Sequence, residues 1–186
     1  METLTMTMDA HFHLEQVPFS DLEYEIGSLR VRAWRNEPAV DKTYFDRPTL
    51  IESLDRKSQH WVITKDNIVV AAARMSFHPT METVPYAPLL PAECWGQFTN
   101  KSIASFNRMV VDPQYRGQGL AHALDQIRVE HAIQSGMDVI VGATQLEYRV
   151  ESLKKLGFTY HCELYNTPER PHWPLFFMSY DLKKNQ

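Results

Sequence analysis

Two glycines one residue apart stand out chemically in Gln114-Tyr115-Arg116-Gly117-Gln118-Gly119-Leu120-Ala121. They follow the apolar run Met109-Val110-Val111 and the stop Asp112-Pro113, and they lead straight into a stretch of helical period. A strand that turns tightly into a helix builds an anion site: the first N–H groups of the helix have no internal partner, and its dipole places positive potential there. Glycine at 117 and 119 lets a phosphate approach the backbone without meeting a Cβ atom, and Arg116 adds a cation at the mouth. The pattern departs from two other phosphate loops. The P-loop carries a lysine and then Ser or Thr after its last glycine, where Leu120-Ala121 stand. The dinucleotide fingerprint carries a third glycine, where His122 stands.

The elements that must position this loop are legible on both sides of it. Ile103–Val111 reads as a strand and Gly117–Ser135 as a helix, with Leu120, Ala123, Leu124 and Ile127 on one face and Gly136 as its end. Asp138–Ala143 is a short apolar strand of the kind buried on both faces. A helix over Glu147–Leu156 ends on Gly157. Upstream, His11–Val17 supplies a first strand. Ser20 or Asp21 is placed to cap a helix running to Asn36, with Leu22, Ile26, Leu29, Ala33 and Trp34 on one face. A second helical piece is expected over Pro48–Lys57. Trp61–Thr64 and Ile68–Phe77, joined by Lys65-Asp66-Asn67, read as an antiparallel hairpin. Pro79–Asn100 is a long connection with a short helix at Pro91–Trp95, and loops of that length are usually functional. Phe158–Leu164 and Leu175–Leu182 close the chain as strands. The order β-α-α-β-β-β-α-β-α-β-β describes an α/β fold, with one strand–helix–strand crossover over Ile103–Ala143.

The chain has 186 residues, 44% hydrophobic and 23% charged, which suits one domain over residues 1–186 with residues 1–10 as a loose terminus. No apolar run approaches the roughly 18 residues of a membrane helix, and Met1–Ala10 lacks the pattern of a secretory signal. Cys94 and Cys162 are the only cysteines, which is no disulfide framework and suits a reducing cytoplasm. A net charge of −4 and a pI near 6.0, with bases scattered among acids, argue against nucleic acid as a partner.

The spacing Gln114-x-x-Gly117-x-Gly119 after a strand resembles the acetyl-CoA-binding signature of the GNAT superfamily of N-acetyltransferases. The likeness extends along the chain. Met109–Pro113 resembles the family's strand before the loop, and Gly117–Gly136 its cofactor helix. Val139–Gly142 resembles the strand that splays from its neighbour to admit the pantetheine, and Leu153-Lys154-Lys155-Leu156-Gly157-Phe158 the family's helix end. The resemblance implies a GNAT-like mixed, mostly antiparallel twisted sheet flanked by helices. It further implies that acetyl-CoA, or another acyl-CoA, is the co-substrate. Its pyrophosphate would be held by Gln114, Arg116, Gly117, Gln118, Gly119, Leu120 and Ala121, chiefly through backbone N–H groups. The main chain of Met109, Val110 and Val111 would pair with the pantetheine arm like an added strand.

Three positions depart from the family's catalytic pattern. Asn107, followed by Arg108, stands where a Glu is frequent, Leu153 where a tyrosine protonates the leaving thiolate, and Leu146 where an asparagine opens the helix. Tyr148 is the nearest substitute acid, with packing against the sheet as its alternative. Asn107 can orient a substrate or a water but cannot act as a base, with a strand polar group satisfied by a neighbour as its alternative. His78 and His172 are candidate bases by type, with structural or solvent-exposed roles as the alternative. His11-x-His13 has no cysteine or acidic cluster to complete a metal site, so no metal is expected. Core packing accounts for Trp34, whereas Tyr86, Trp95 and Trp173 either line a pocket or brace their loops.

Three functions follow from these features. The first is transfer of acetyl from acetyl-CoA to a primary amine of a small molecule or peptide. The second is transfer of a longer chain, as in the N-acyl amino acid and acyl-homoserine lactone synthases, which the long Pro-rich insert and aromatic loops resemble. The third is a non-catalytic acyl-CoA-binding module. Nothing in Pro38–Leu54 or Pro79–Asn100 encodes a recognisable acceptor chemistry. An exposed edge strand near the C-terminus is open to pairing with a second copy in a homodimer.

Overall fold

The computed structural model describes residues 11–183; the terminus expected to be loose, 1–10, lies outside them. In chain order the elements are β1 (Phe12–Val17), α1 (Glu23–Trp34), β2 (Gln59–Lys65), β3 (Ile68–His78), β4 (Ile103–Val111), α2 (Leu120–Gln134), β5 (Val139–Thr144), α3 (Glu147–Leu156), β6 (Thr159–Leu164) and β7 (Leu175–Asp181). Among the described residues the strands form one sheet in the order β1-β2-β3-β4-β5-β7-β6. Every neighbouring pair is antiparallel except β4 and β5, which are parallel and joined by α2. This is the mostly antiparallel sheet flanked by helices that the sequence implied. No helix among the described residues is long and apolar enough to cross a membrane.

The sheet separates two apolar layers. Ile26, Leu29 and Ala33 of α1 pack with Val62, Val69, Ala72 and Val110 on one face. Leu120 and Leu124 of α2 and Val150 and Leu153 of α3 pack with Trp61, Ile63, Met75 and Phe106 on the other. Alternation along β4 places Ala104 and Phe106 on the α2 face, yet Val110 lies on the α1 face. The phase changes because β4 carries a bulge. Asn107 pairs with Arg74 and Val110 with Ala72, so two residues of β4 stand opposite the single Ala73. Arg108 takes a left-handed φ of 47° at this point. An extra residue in a strand of period two turns the following side chains over.

Several expectations are corrected. The Pro48–Lys57 helix is only a 3-10 turn over Ser53–Lys57. The backbone of Leu50 is committed elsewhere: its N–H donates to Gly27 O, and its carbonyl accepts from Arg30. Ser20 and Asp21 do not cap α1; they lie in a 3-10 turn, and the helix starts after Leu22 with no side-chain cap. The helix expected from Gly117 begins at Leu120, since Gly117 and Gly119 both hold φ at 78° in the turn. Pro79–Asn100 is a chain of short 3-10 turns, of which Ala92–Cys94 replaces the expected helix. It also brings Cys94 Sγ to 3.9 Å from Cys162 Sγ on β6, as free thiols.

Candidate active site

β4 and β5 are paired only from Ile103 to Phe106 against Val139 to Gly142. Beyond Phe106 the strands diverge, and a cavity of about 970 Å³ opens from the splay to the N-terminus of α2. Such a volume is at the upper end of small-molecule sites.

At one end lies the glycine loop. The Asp112 side chain accepts from the Gln114 N–H at 3.0 Å and from Arg32 at 2.9 Å, which pins the turn after β4. Left-handed Gly117 and Gly119 then bring the chain onto α2, whose first-turn N–H groups have no intrahelical acceptor. A Cβ added at Gly117 would meet no protein atom within 4 Å, so the space in front of the loop is open. Arg116, Gly117, Gly119, Leu120 and Ala121 line the cavity. Gln114 and Gln118 are exposed and stand outside its wall. The Arg116 guanidinium is turned onto Glu37 at 2.7 Å. Met109, Val110 and Val111 form the strand side of the cavity, past the point where β5 leaves.

The other end is built from charges that sequence reasoning missed. Arg108, projecting from the bulge, donates to both carboxylate oxygens of Glu52 (2.6 and 2.8 Å) and to Glu169 at 2.6 Å. Arg74 donates to Glu52 and to Asp55, which also receives both terminal nitrogens of Arg30. A chain of ion pairs therefore ties α1, the Ser53–Lys57 turn, β3, β4 and the β6–β7 loop around one cavity wall. Burial pushes the Glu52 carboxyl up, but Arg108 and Arg74 outweigh it and hold it at about 2. Asp55 is likewise held at about 2, burial being overcome by Arg30 and Arg74. The Tyr86 hydroxyl donates to Glu169 at 3.1 Å, and burial pushes its pKa up. Trp34, Tyr44, Phe45, Val84 and Pro85 give this end apolar walls.

The candidate catalytic groups fall out differently. Tyr148 lines the cavity and is 62% exposed, so it is not packed against the sheet. Asn107 also lines the cavity, but its amide is fully engaged. Its Nδ2 donates to Ser105 O and Ser76 Oγ, and its Oδ1 accepts from Arg74. Leu153 is buried in the core cluster. His78 lies off the cavity between Ser76 and Thr83, with its pKa lowered by burial and by Arg74. His172 is exposed and also off the cavity. Of the loop aromatics, Tyr86 lines the cavity. Trp95 donates to Leu90 O and Trp173 to Gln145 O, bracing their loops. Trp34, assigned to the core, lies on the cavity with the Arg108 guanidinium over its ring. No local signal marks Glu52 or Glu169, because each gains its meaning from Arg108, far away in the chain.

Solved structures share this architecture. A polyamine N-acetyltransferase of Drosophila melanogaster matches with a TM-score of 0.69 at 16% identity, over 92% of this chain and 100% of that one. The NatC complex bound to Gag peptide and CoA matches at 0.63 and 13%, over 92% and 99%. FeeM, an N-acyl amino acid synthase from uncultured soil microbes, matches at 0.64 and 12%, over 93% and 92%. At these identities the likeness is one of fold. No curated protein sequence matches this chain significantly. The sequence pattern of the acetyltransferase (GNAT) family, by contrast, matches residues 23–158. That span runs from the start of α1 through the glycine loop to the Gly-Phe after α3, and the chain belongs to the GNAT acetyltransferase family.

Proposed function

We propose that this protein transfers the acetyl group of acetyl-CoA to a primary amine on a small molecule or peptide. The observation that carries this reading is one continuous cavity joining two unlike ends. One is an open glycine loop at a helix N-terminus, suited to the pyrophosphate. The other is an aromatic pocket whose wall carries the Arg108-paired carboxylates of Glu52 and Glu169, acceptor groups that can orient an amine. The pantetheine arm lies along Met109–Val111 and brings the thioester to the splay at Phe106 and Gly142.

Chemistry requires the amine as its neutral form. A carboxyl held at about 2 is a weak base, so Glu52 orients the amine rather than deprotonating it, and the proton leaves through water. Nitrogen then attacks the carbonyl carbon, the C–S bond breaks, and the sulfur is reprotonated. Tyr148, exposed on the cavity wall, is the side chain assigned to return that proton.

A second reading, transfer of a longer acyl chain, has one observation in its favour. Val141, Leu175 and Phe177 line the cavity beyond the splay and give an apolar continuation. Calorimetric titration with acetyl-CoA, CoA and a long-chain acyl-CoA, followed by a thiol-release screen of amines, tests both. Micromolar binding of acetyl-CoA and thiol release with an amine is the expected result. A rate that rises with chain length would move the assignment to the longer donor. Binding without release for any amine would leave a non-catalytic acyl-CoA module.

A further inference from the structure

A second group of charges lies on the opposite face of the sheet from Arg108, under the gap between α2 and α3. Asp125 of α2 is fully buried and accepts 2.7 Å bonds from Arg128 of the same helix and from Arg149 of α3. All three side chains line the cavity. Two guanidiniums share one carboxylate, so the cluster holds one uncompensated positive charge in the interior. A buried charge without a partner is costly to maintain. Its value would be realised only by an anion that comes and goes.

The two arginines are not equivalent. Arg128 is fully committed: Nε donates to Leu124 O, Nη1 to Arg74 O and Nη2 to Asp125. Burial lowers its pKa to about 10, so it stays charged at neutral pH. Arg149 gives one nitrogen to Asp125, the one bond its guanidinium is seen to make among the described residues, and it lines the cavity. The cluster also sits at the right depth. Arg128 lies 4.0 Å over the ring of Phe106, the last residue of β4 paired with β5. The Asp125–Arg128–Arg149 cluster therefore stands at the splay, the part of the cavity toward which an arm anchored at the first turn of α2 and laid along β4 would run. His122, Tyr148 and Ser152 are the other polar side chains that α2 and α3 turn toward this part of the cavity.

We propose that Arg149, held across the α2–α3 gap by Asp125 and backed by the charge of Arg128, is a catalytic residue that stabilises the departing CoA thiolate. This rests on the acyltransferase reading above and deepens it. The C–N bond forms, the C–S electron pair passes to sulfur, and the thiolate is met by the guanidinium. The amine's proton leaves to water, and the sulfur is protonated afterwards. Cleavage then needs no proton donor in the same step, which accounts for Leu153 at the position where the family places a tyrosine.

The test is the titration of enzyme-bound CoA, followed by the ultraviolet absorbance of its thiolate. In the wild-type protein the bound thiol should titrate at least about one unit below free CoA, a tenfold gain in thiolate fraction at a given pH. Arg149→Met should return it to the value of free CoA while CoA affinity, measured where the thiol is protonated, changes little. Arg149→Lys should keep part of the shift. A wild-type thiol that titrates like free CoA overturns the proposal even if the variants fail to fold, and so does an Arg149→Met variant that keeps the shift. Failure of CoA to bind at all is a different result, and it overturns the assignment of the glycine loop.

Discussion

Replacing Arg108 with methionine is the sharpest test of how the cavity wall is held. The side chain makes three short bonds, two to Glu52 and one to Glu169. The Glu52 carboxyl moves from 4.5 to about 2 in the fold. That is about 3 kcal/mol of preference for the charged form, or about 2 kcal/mol once its partial exposure is discounted. Arg74 retains a share of this when Arg108 is gone. Among the described residues Glu169 has no second cation as close, and its side chain is only 8% exposed, so stranding its charge costs about 1–3 kcal/mol more. Arg108→Met should therefore lose about 3–5 kcal/mol, the range for removing one member of a buried pair. Urea denaturation at neutral pH measures it. Adding Glu169→Gln to Arg108→Met should recover part of the loss, because no charge is then left unpaired there. A loss below about 1 kcal/mol, with no recovery in the double variant, would mean that water solvates these carboxylates and that the wall is not an ion-paired unit.

Three further outcomes are expected. Gly117→Ala should cost about 1–2 kcal/mol of stability through its left-handed φ, and lower CoA affinity at least tenfold by calorimetry because the new methyl stands where the phosphates approach; unchanged affinity would sink the loop assignment. Because Arg149 meets the thiolate and protonation follows cleavage, Tyr148→Phe should change single-turnover acyl transfer by less than about threefold and leave CoA affinity unaltered; a tenfold slower rate would place proton donation by Tyr148 in the bond-breaking step. Burial, aided by Arg30 and Arg74, lowers the pKa of His60 from 6.5 to about 4; the unfolded chain thus takes up a proton that the folded one refuses. Stability should be level above pH 6.5, fall by about 3 kcal/mol between pH 6.5 and 4, and fall again below pH 4 as Asp55 is protonated. Denaturant midpoints that do not move between pH 6.5 and 4 would show that His60 is not held neutral.

Much of this protein was legible from local pattern. β4 at Ile103–Val111 and α3 at Glu147–Leu156 were readable to the residue, because apolar period, a proline stop and a glycine cap each act within a few positions. The glycine loop was readable for the same reason: left-handed turns require particular residues wherever they occur. The 3-10 turn at Ser53–Lys57 was not, since the preceding backbone is spent on bonds to Gly27 and Arg30 that no local pattern announces. Nor was the bulge at Arg108, where a residue other than glycine is held at positive φ and turns the rest of β4 over. Cys94 and Cys162, distant in the chain, became neighbours only when the long connection crossed to β6. The charged groups of the cavity belong to this second class. Glu52, Arg108 and Glu169, and likewise Asp125, Arg128 and Arg149, look like ordinary surface charges in the sequence. A charge acquires a fixed partner and a shifted pKa only when burial removes water from around it. Burial is decided by which distant segments the sheet brings together, so the glycine loop could be read from the chain and the ion-paired walls of the cavity could not.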